Sequence, residues 1–177
     1  MALSVEQIRS AVSDEDLFRL LSEELKRLFP PEICRDPVVF LSRIHAAPPG
    51  LRAMATTYDL DVSMALDDLA WHFINHQSSF DLVSETVDGL RELEANEVAE
   101  IFEAAMEIIK PHWTSLPEVI ELKGGGPKHD WLDAKGIQSQ MDPLNFRLWK
   151  ILDQYGNGGL LSLWPVYARK YPERCCG

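Results

Sequence analysis

Apolar residues recur at three- and four-residue intervals through most of the chain, and no convincing run of alternating strand residues interrupts them. Ser13 precedes Asp14-Glu15-Asp16, acids suited to the positive end of a helix dipole. Leu17, Leu20, Leu21, Leu25 and Leu28 then share one stripe until Pro30-Pro31 stops it. Pro37 opens a second helix over Val38 to about Ala46, ended by Pro48-Pro49-Gly50. A short helix over Leu51–Thr57, a break near Asp59–Asp61 and a helix over Val62–His76 follow, the last with Val62, Leu66, Leu69 and Phe73 on one face and ended at Ser78-Ser79.

The next pattern, Ser84–Leu93, buries Val87, Leu90 and Leu93, and Asn96 is placed to cap a helix that runs to Lys110 and ends at Pro111. Leu122-Lys123-Gly124-Gly125-Gly126-Pro127 reads as a helix end followed by a mobile loop, since it lacks the spacing of a phosphate-binding glycine loop. Asp142-Pro143 is a cap with proline at the first helical position. Gly156 ends that helix, and Asn157-Gly158-Gly159 turns into a last helix near Leu160–Tyr171. The predicted fold class is all-α: one compact domain over residues 1–177, a bundle of about eight or nine helices.

Composition adds an address. No apolar run approaches the ~20 residues needed to span a bilayer, and the first residues run directly into charge without a signal-peptide pattern, so a cytoplasmic location is expected. Cys34, Cys175 and Cys176 do not make a disulfide framework, and the last two read as a frayed tail.

Charge changes the picture more. The net charge is −11, with 28 acids against 17 bases. Residues 1–58 are nearly balanced and residues 108–177 are slightly basic, whereas 59–107 hold thirteen acids and only Arg91 as a base. Such a segment repels nucleic acid and attracts basic proteins or cations, so direct nucleic-acid binding is not expected. With Glu97 at zero on a helical wheel, Glu100, Glu103 and Glu107 fall at about 300°, 240° and 280°, opposite Ile101, Phe102, Ala105, Ile108 and Ile109. The row extends about 15 Å. In the preceding helix Glu85, Asp88 and Glu92 cluster within about 60°. Both helices are therefore expected to present carboxylates outward with almost no lysine or arginine between them, at a cost in like-charge repulsion. One reading is a solvated surface that keeps the protein soluble; the sharper alternative is a docking face for a basic partner, with carboxylates standing in for phosphates.

Candidate chemistry is sparse. Asp68, His72 and His76 stand at i, i+4 and i+8, a spacing that would put two imidazoles and a carboxylate on one helix face as zinc ligands, with His112 or His129 as a fourth. The segment lacks the glutamate of an HExxH helix, so no general base comes with it. No nucleophilic triad has a recognisable setting, and Trp71, Trp113, Trp131, Trp149 and Trp164 are spread as packing residues are.

The stretch Leu66–Ile109 resembles a bacterial domain family of DNA-mimic-like proteins of unknown function. The likeness lies in an aromatic-rich helix ending in Asn75, in Glu85-Thr86-Val87 with Leu90 and Leu93, in a short acidic break, and in Ala99 with Phe102 and Ala105. Trp164 to Pro172, with Tyr167, is similar in kind. The family's Asn-Gly-Gly-Phe element is replaced here by Asp67-Asp68-Leu69 followed by Trp71, His72 and Phe73, which marks a divergent member. The resemblance implies an all-α fold, no known enzymatic activity, homodimerisation and, for one member, binding to a transcription factor. The expected function is a non-enzymatic acidic interaction module without cofactor or metal, meeting a basic DNA-binding protein through Glu85, Asp88, Glu92, Glu97, Glu100, Glu103 and Glu107. The alternatives are an immunity- or antitoxin-type inhibitor of a basic nuclease, and a metal-dependent hydrolase using Asp68, His72 and His76.

Overall fold

Helix caps and apolar stripes set the local order of the chain. A computed structural model describes residues 2–76 and 79–177; for His76 and Asn157 it describes the backbone alone. Twelve α-helices occur among the described residues: α1 Val5–Ser10, α2 Asp14–Leu28, α3 Pro31–Cys34, α4 Pro37–Ala46, α5 Pro49–Leu66, α6 Leu69–His76, α7 Phe80–Glu92, α8 Asn96–Ile109, α9 Leu116–Ile120, α10 Gly125–Ala134, α11 Ile137–Gln154 and α12 Leu163–Lys170. Nine of these have eight residues or more, and no strand occurs among the described residues. The fold is all-α, as the periodicity predicts.

Ser4 and Gln7 close a capping box on α1, and the Ser13 hydroxyl accepts the Asp16 amide at the start of α2. Asp36 accepts the amides of Val38 and Val39 before Pro37 at the first turn of α4. Ser79 caps α7, which begins four residues earlier than the sequence pattern suggests.

The largest departure lies between residues 49 and 76. The predicted break at Asp59–Asp61 does not form, and α5 continues to Leu66. Asp61 turns sideways to accept the Leu160 amide at 2.6 Å, which anchors the 3-10 turn Gly156–Ser162. Gly159 sits there at φ +49, where a Cβ would overlap the Asp61 carboxylate. The chain breaks instead at Asp67–Asp68, and α11 satisfies both exposed helix ends. The Trp149 indole donates to the Met64 carbonyl at 3.1 Å, and the buried Asn145 side chain accepts the Leu69 amide at 3.0 Å. No local periodicity could show that two residues some eighty positions downstream stabilise this break.

The Gly-rich stretch is also more ordered than expected: Gly124 at φ +84 precedes α10, which begins at Gly125. α11 starts at Ile137 and passes through Pro143, so Asp142-Pro143 is not its beginning.

Two apolar clusters both draw residues from α5. The larger gathers Leu60, Phe73, Val83, Phe102, Leu132 and Leu148 with their neighbours, mainly from α5–α11. The smaller joins the chain ends: Ile8, Leu17 and Leu21 of α1 and α2 meet Met54 of α5 and Trp164, Ala168 and Cys175 near the C-terminus. The C-terminal segment is therefore not frayed. The Cys175 thiol is fully buried, and burial pushes its pKa up to about 12. A Cβ on Gly50 would lie 2.6 Å from that sulfur, so α5 and the C-terminal segment approach closely there. All three cysteines are free thiols. No described helix is long and apolar enough to cross a membrane.

Candidate acidic interface

α7 and α8 are consecutive helices joined by a tight turn at Glu94, whose φ of +63 is unusual for a residue with a side chain. The turn closes with the Ala95 amide donating to the Leu90 carbonyl at 2.9 Å. The Glu94 carboxylate is held from the C-terminal end by Lys170 Nζ at 2.7 Å and the Tyr171 hydroxyl at 2.7 Å, bonds that keep its pKa below the usual carboxylate range.

α7 packs against α5 more extensively than any other pair of elements, and this contact decides where its acids point. Gly89 is the point of closest approach: a Cβ there would overlap Thr56 Oγ1 and lie 3.1 Å from the Ala53 carbonyl oxygen. Thr86 Oγ1 donates across the contact to the Thr56 carbonyl at 3.1 Å. Glu85, four residues before Gly89, lies on the same face and is only 9% exposed. It is clamped by Arg52 Nε at 2.7 Å on one oxygen and by His45 Nε2 at 2.8 Å on the other.

Glu92 is half-buried and takes a two-point contact from Arg174, Nε at 2.6 Å and Nη2 at 2.8 Å, together with the Tyr167 hydroxyl. Burial opposes ionisation of Glu92, but the hydrogen bonds from Arg174 and Tyr167 outweigh it and hold the carboxyl below its usual range. Burial and the neighbouring carboxylate push the Tyr167 phenol up. Of the three predicted acids on α7, only Asp88 is exposed and without an ion pair among the described residues.

α8 behaves differently. Val98, Ala99, Ile101, Phe102, Ala105 and Ile109 are buried, and the carboxylate row stands opposite. Glu97 and Glu100 are exposed and make no ion pair among the described residues. Glu103 receives Arg91 Nη2 at 2.7 Å while 42% exposed, and Glu107 receives Lys110 at 3.0 Å while 69% exposed. Exposed pairs of this kind are worth only ~0–1 kcal/mol, so neither Arg91 nor Lys110 holds its carboxylate firmly.

The expected continuous, unneutralised outward strip from Glu85 to Glu107 is therefore corrected. Four of its seven carboxylates have cationic neighbours, and Glu85 faces inward. Sequence reasoning missed Arg52, His45, Tyr167 and Arg174, which reach α7 from α4, α5 and the C-terminal end. One local signal was available: a glycine in mid-helix, four residues after Glu85, marks a close helix approach.

The residues of the metal alternative are not presented on one helix face. Asp68 lies outside the helices, in the break before α6, where one oxygen accepts the Trp71 amide at 3.0 Å and the other a Gln138 side-chain N–H at 2.7 Å. His72 is buried, its ring edge-on to Phe73 and Phe102, and its Nδ1 is 2.9 Å from Ser63 Oγ. Ser63 Oγ also donates to the Asp59 carbonyl at 2.7 Å, so the buried serine bridges the α5 backbone and the imidazole. The His76 side chain lies outside the described residues. His129 packs edge-on against Trp71, and His112 against Trp131. Among the described residues no group of three or more His, Cys, Asp or Glu side chains could hold a metal ion.

The architecture is that of an all-helical protein whose distinguishing surface is a row of exposed carboxylates. Residues 45–164 match the model of the DMP19-like protein family, and the chain belongs to that family. The match begins within α4 and ends at the second residue of α12, so α1–α3 and the C-terminal segment lie outside it. No curated protein and no solved structure matches the chain.

Proposed function

We propose that this protein is a non-enzymatic interaction module of the DNA-mimic type, which presents the exposed acids of α8 together with Asp88 to the basic surface of a DNA-binding protein. The observation that carries this reading is the state of Asp88, Glu97 and Glu100, exposed and free of ion pairs among the described residues, beside the accessible Glu103 and Glu107. Membership of the DMP19-like family supports it. Carboxylates held on a rigid helix over about 15 Å offer a basic groove fixed negative charge, as a phosphate backbone does. Such a surface accelerates encounter and makes binding sensitive to salt. Glu85 and Glu92 serve the scaffold in this reading, because their charge is already spent on Arg52, His45 and Arg174.

The test is affinity capture from cell extract at low and high salt, with wild type beside a variant carrying Asp88→Asn, Glu97→Gln and Glu100→Gln. The expected result is a basic, DNA-binding protein retained by wild type at low salt, released by duplex DNA and lost with the variant. Equal capture by the variant, or a captured protein indifferent to DNA, would count against the reading. A captured repressor or nuclease would also separate a transcription-factor partner from an inhibited nuclease.

A further inference from the structure

Away from the acidic row, helices α2–α5 and α7 and the turn leading into α12 line a half-open cavity of about 610 Å³. Five of its fifteen lining residues are aromatic. Phe18 stacks on Trp164 with centroids 5.5 Å apart, Tyr58 leans on the same indole at 6.3 Å, and Phe29 meets Phe40 edge-on at 5.6 Å. Thr56 and Thr86 also line it, but their hydroxyls are occupied, donating to the Ala53 and Thr56 carbonyls at 3.1 Å each. Trp164 is only 2% exposed, and its indole N–H is buried without a hydrogen-bond partner among the described residues.

Ligand sites for small molecules have volumes of ~300–1,000 Å³, mostly apolar walls and a few polar groups. The cavity has that size and that lining. Lys26 and Asp59 line it and are exposed, so they stand at its solvent edge with one charge of each sign. A rim without net charge favours a neutral ligand over an ion.

The cavity also sits at a seam. Phe18, Lys26, Phe29 and Phe40 come from the segment ahead of the family match, whereas Thr56, Tyr58, Thr86 and Trp164 come from within it. We propose that this cavity is a binding site for a small, neutral, ring-containing apolar molecule, held between the N-terminal helices and the family core.

The experiment uses the full chain and the neutral probe N-phenyl-1-naphthylamine. The expected result is saturable binding at one site, with the methyl resonances of Ala55, Thr56 and Thr86 shifting while those of Ile101 and Ile137 in the larger cluster stay in place. Ala55→Trp, which fills the cavity, should weaken binding by at least about tenfold. Ser22→Trp, from the opposite wall, should do the same and serves if the first variant does not fold. The anionic analogue 1-anilinonaphthalene-8-sulfonate should bind more weakly than the neutral probe. No saturable uptake, undiminished binding in a folded cavity-filled variant, shifts centred on the larger cluster, or a preference for the anion would each overturn the proposal.

Discussion

α7 and α8 are adjacent, similar in length and similarly spaced in their acids, yet they use those acids in opposite ways. α8 has one buried face, so its carboxylates are left to solvent. α7 is buried on two sides, by the larger apolar cluster through Val83, Val87 and Leu90 and by α5 through Glu85 and Gly89. An acid on that second side must be paired, because an unpaired buried charge is costly. Arg52 and His45 supply the pairing. The lesson is that the number of neighbours a helix has, more than its own pattern, decides whether a carboxylate row becomes a surface or a seam.

The sharpest way to break this comparison is Gly89→Ala. In an open helix this change is expected to stabilise by a few tenths to ~1 kcal/mol. Against α5 the added Cβ has no room, and a loss of about 2–3 kcal/mol is expected from urea unfolding. A gain in stability would mean that the two helices are not in close contact.

Next in size, Glu85→Gln should cost about 1–2 kcal/mol by the same measurement, because it removes the anion opposite Arg52 while that guanidinium keeps partial access to water. If Glu85→Gln proved neutral, Glu85 would belong with the exposed row after all.

Glu92 sharpens the comparison through pH. Its folded-state pKa lies below the ordinary value of 4.5, so its ionised form stabilises the fold. That contribution is fully present above about 4.5 and is lost as pH falls through the lower folded-state value. The stability gap between wild type and Glu92→Gln should therefore be open at neutral pH and close on acidification below 4.5. A gap that widened in acid would reverse the sign of the argument.

Smallest of all, Glu97→Gln and Glu100→Gln should change stability by less than ~0.5 kcal/mol, or raise it slightly by relieving repulsion. A large loss from either would show that α8's acids are structural too.

The helical class, the cap at Ser13 and the division of α8 into an apolar and an acidic face were legible in the sequence because each depends on residues within a turn or two of one another. The proposed site was legible only to the same extent: Glu97 and Glu100 follow from one wheel, but nothing near Glu92 in the chain announces Arg174. The aromatic cavity was not legible at all. Phe18, Tyr58 and Trp164 are far apart in the chain and carry no shared spacing.

By itself, then, the sequence determined an all-helical chain with its negative charge concentrated in residues 59–107 and an anionic stripe on α8. Only the tertiary structure decided that α5 runs on past Asp61, that the break falls at Asp67–Asp68 where Trp149 and Asn145 receive it, and that Glu85 and Glu92 of the acidic strip are matched by distant cations. The reason is physical. Periodicity records which face of a helix is apolar, whereas charge pairing and satisfaction of helix ends depend on which other elements arrive beside it.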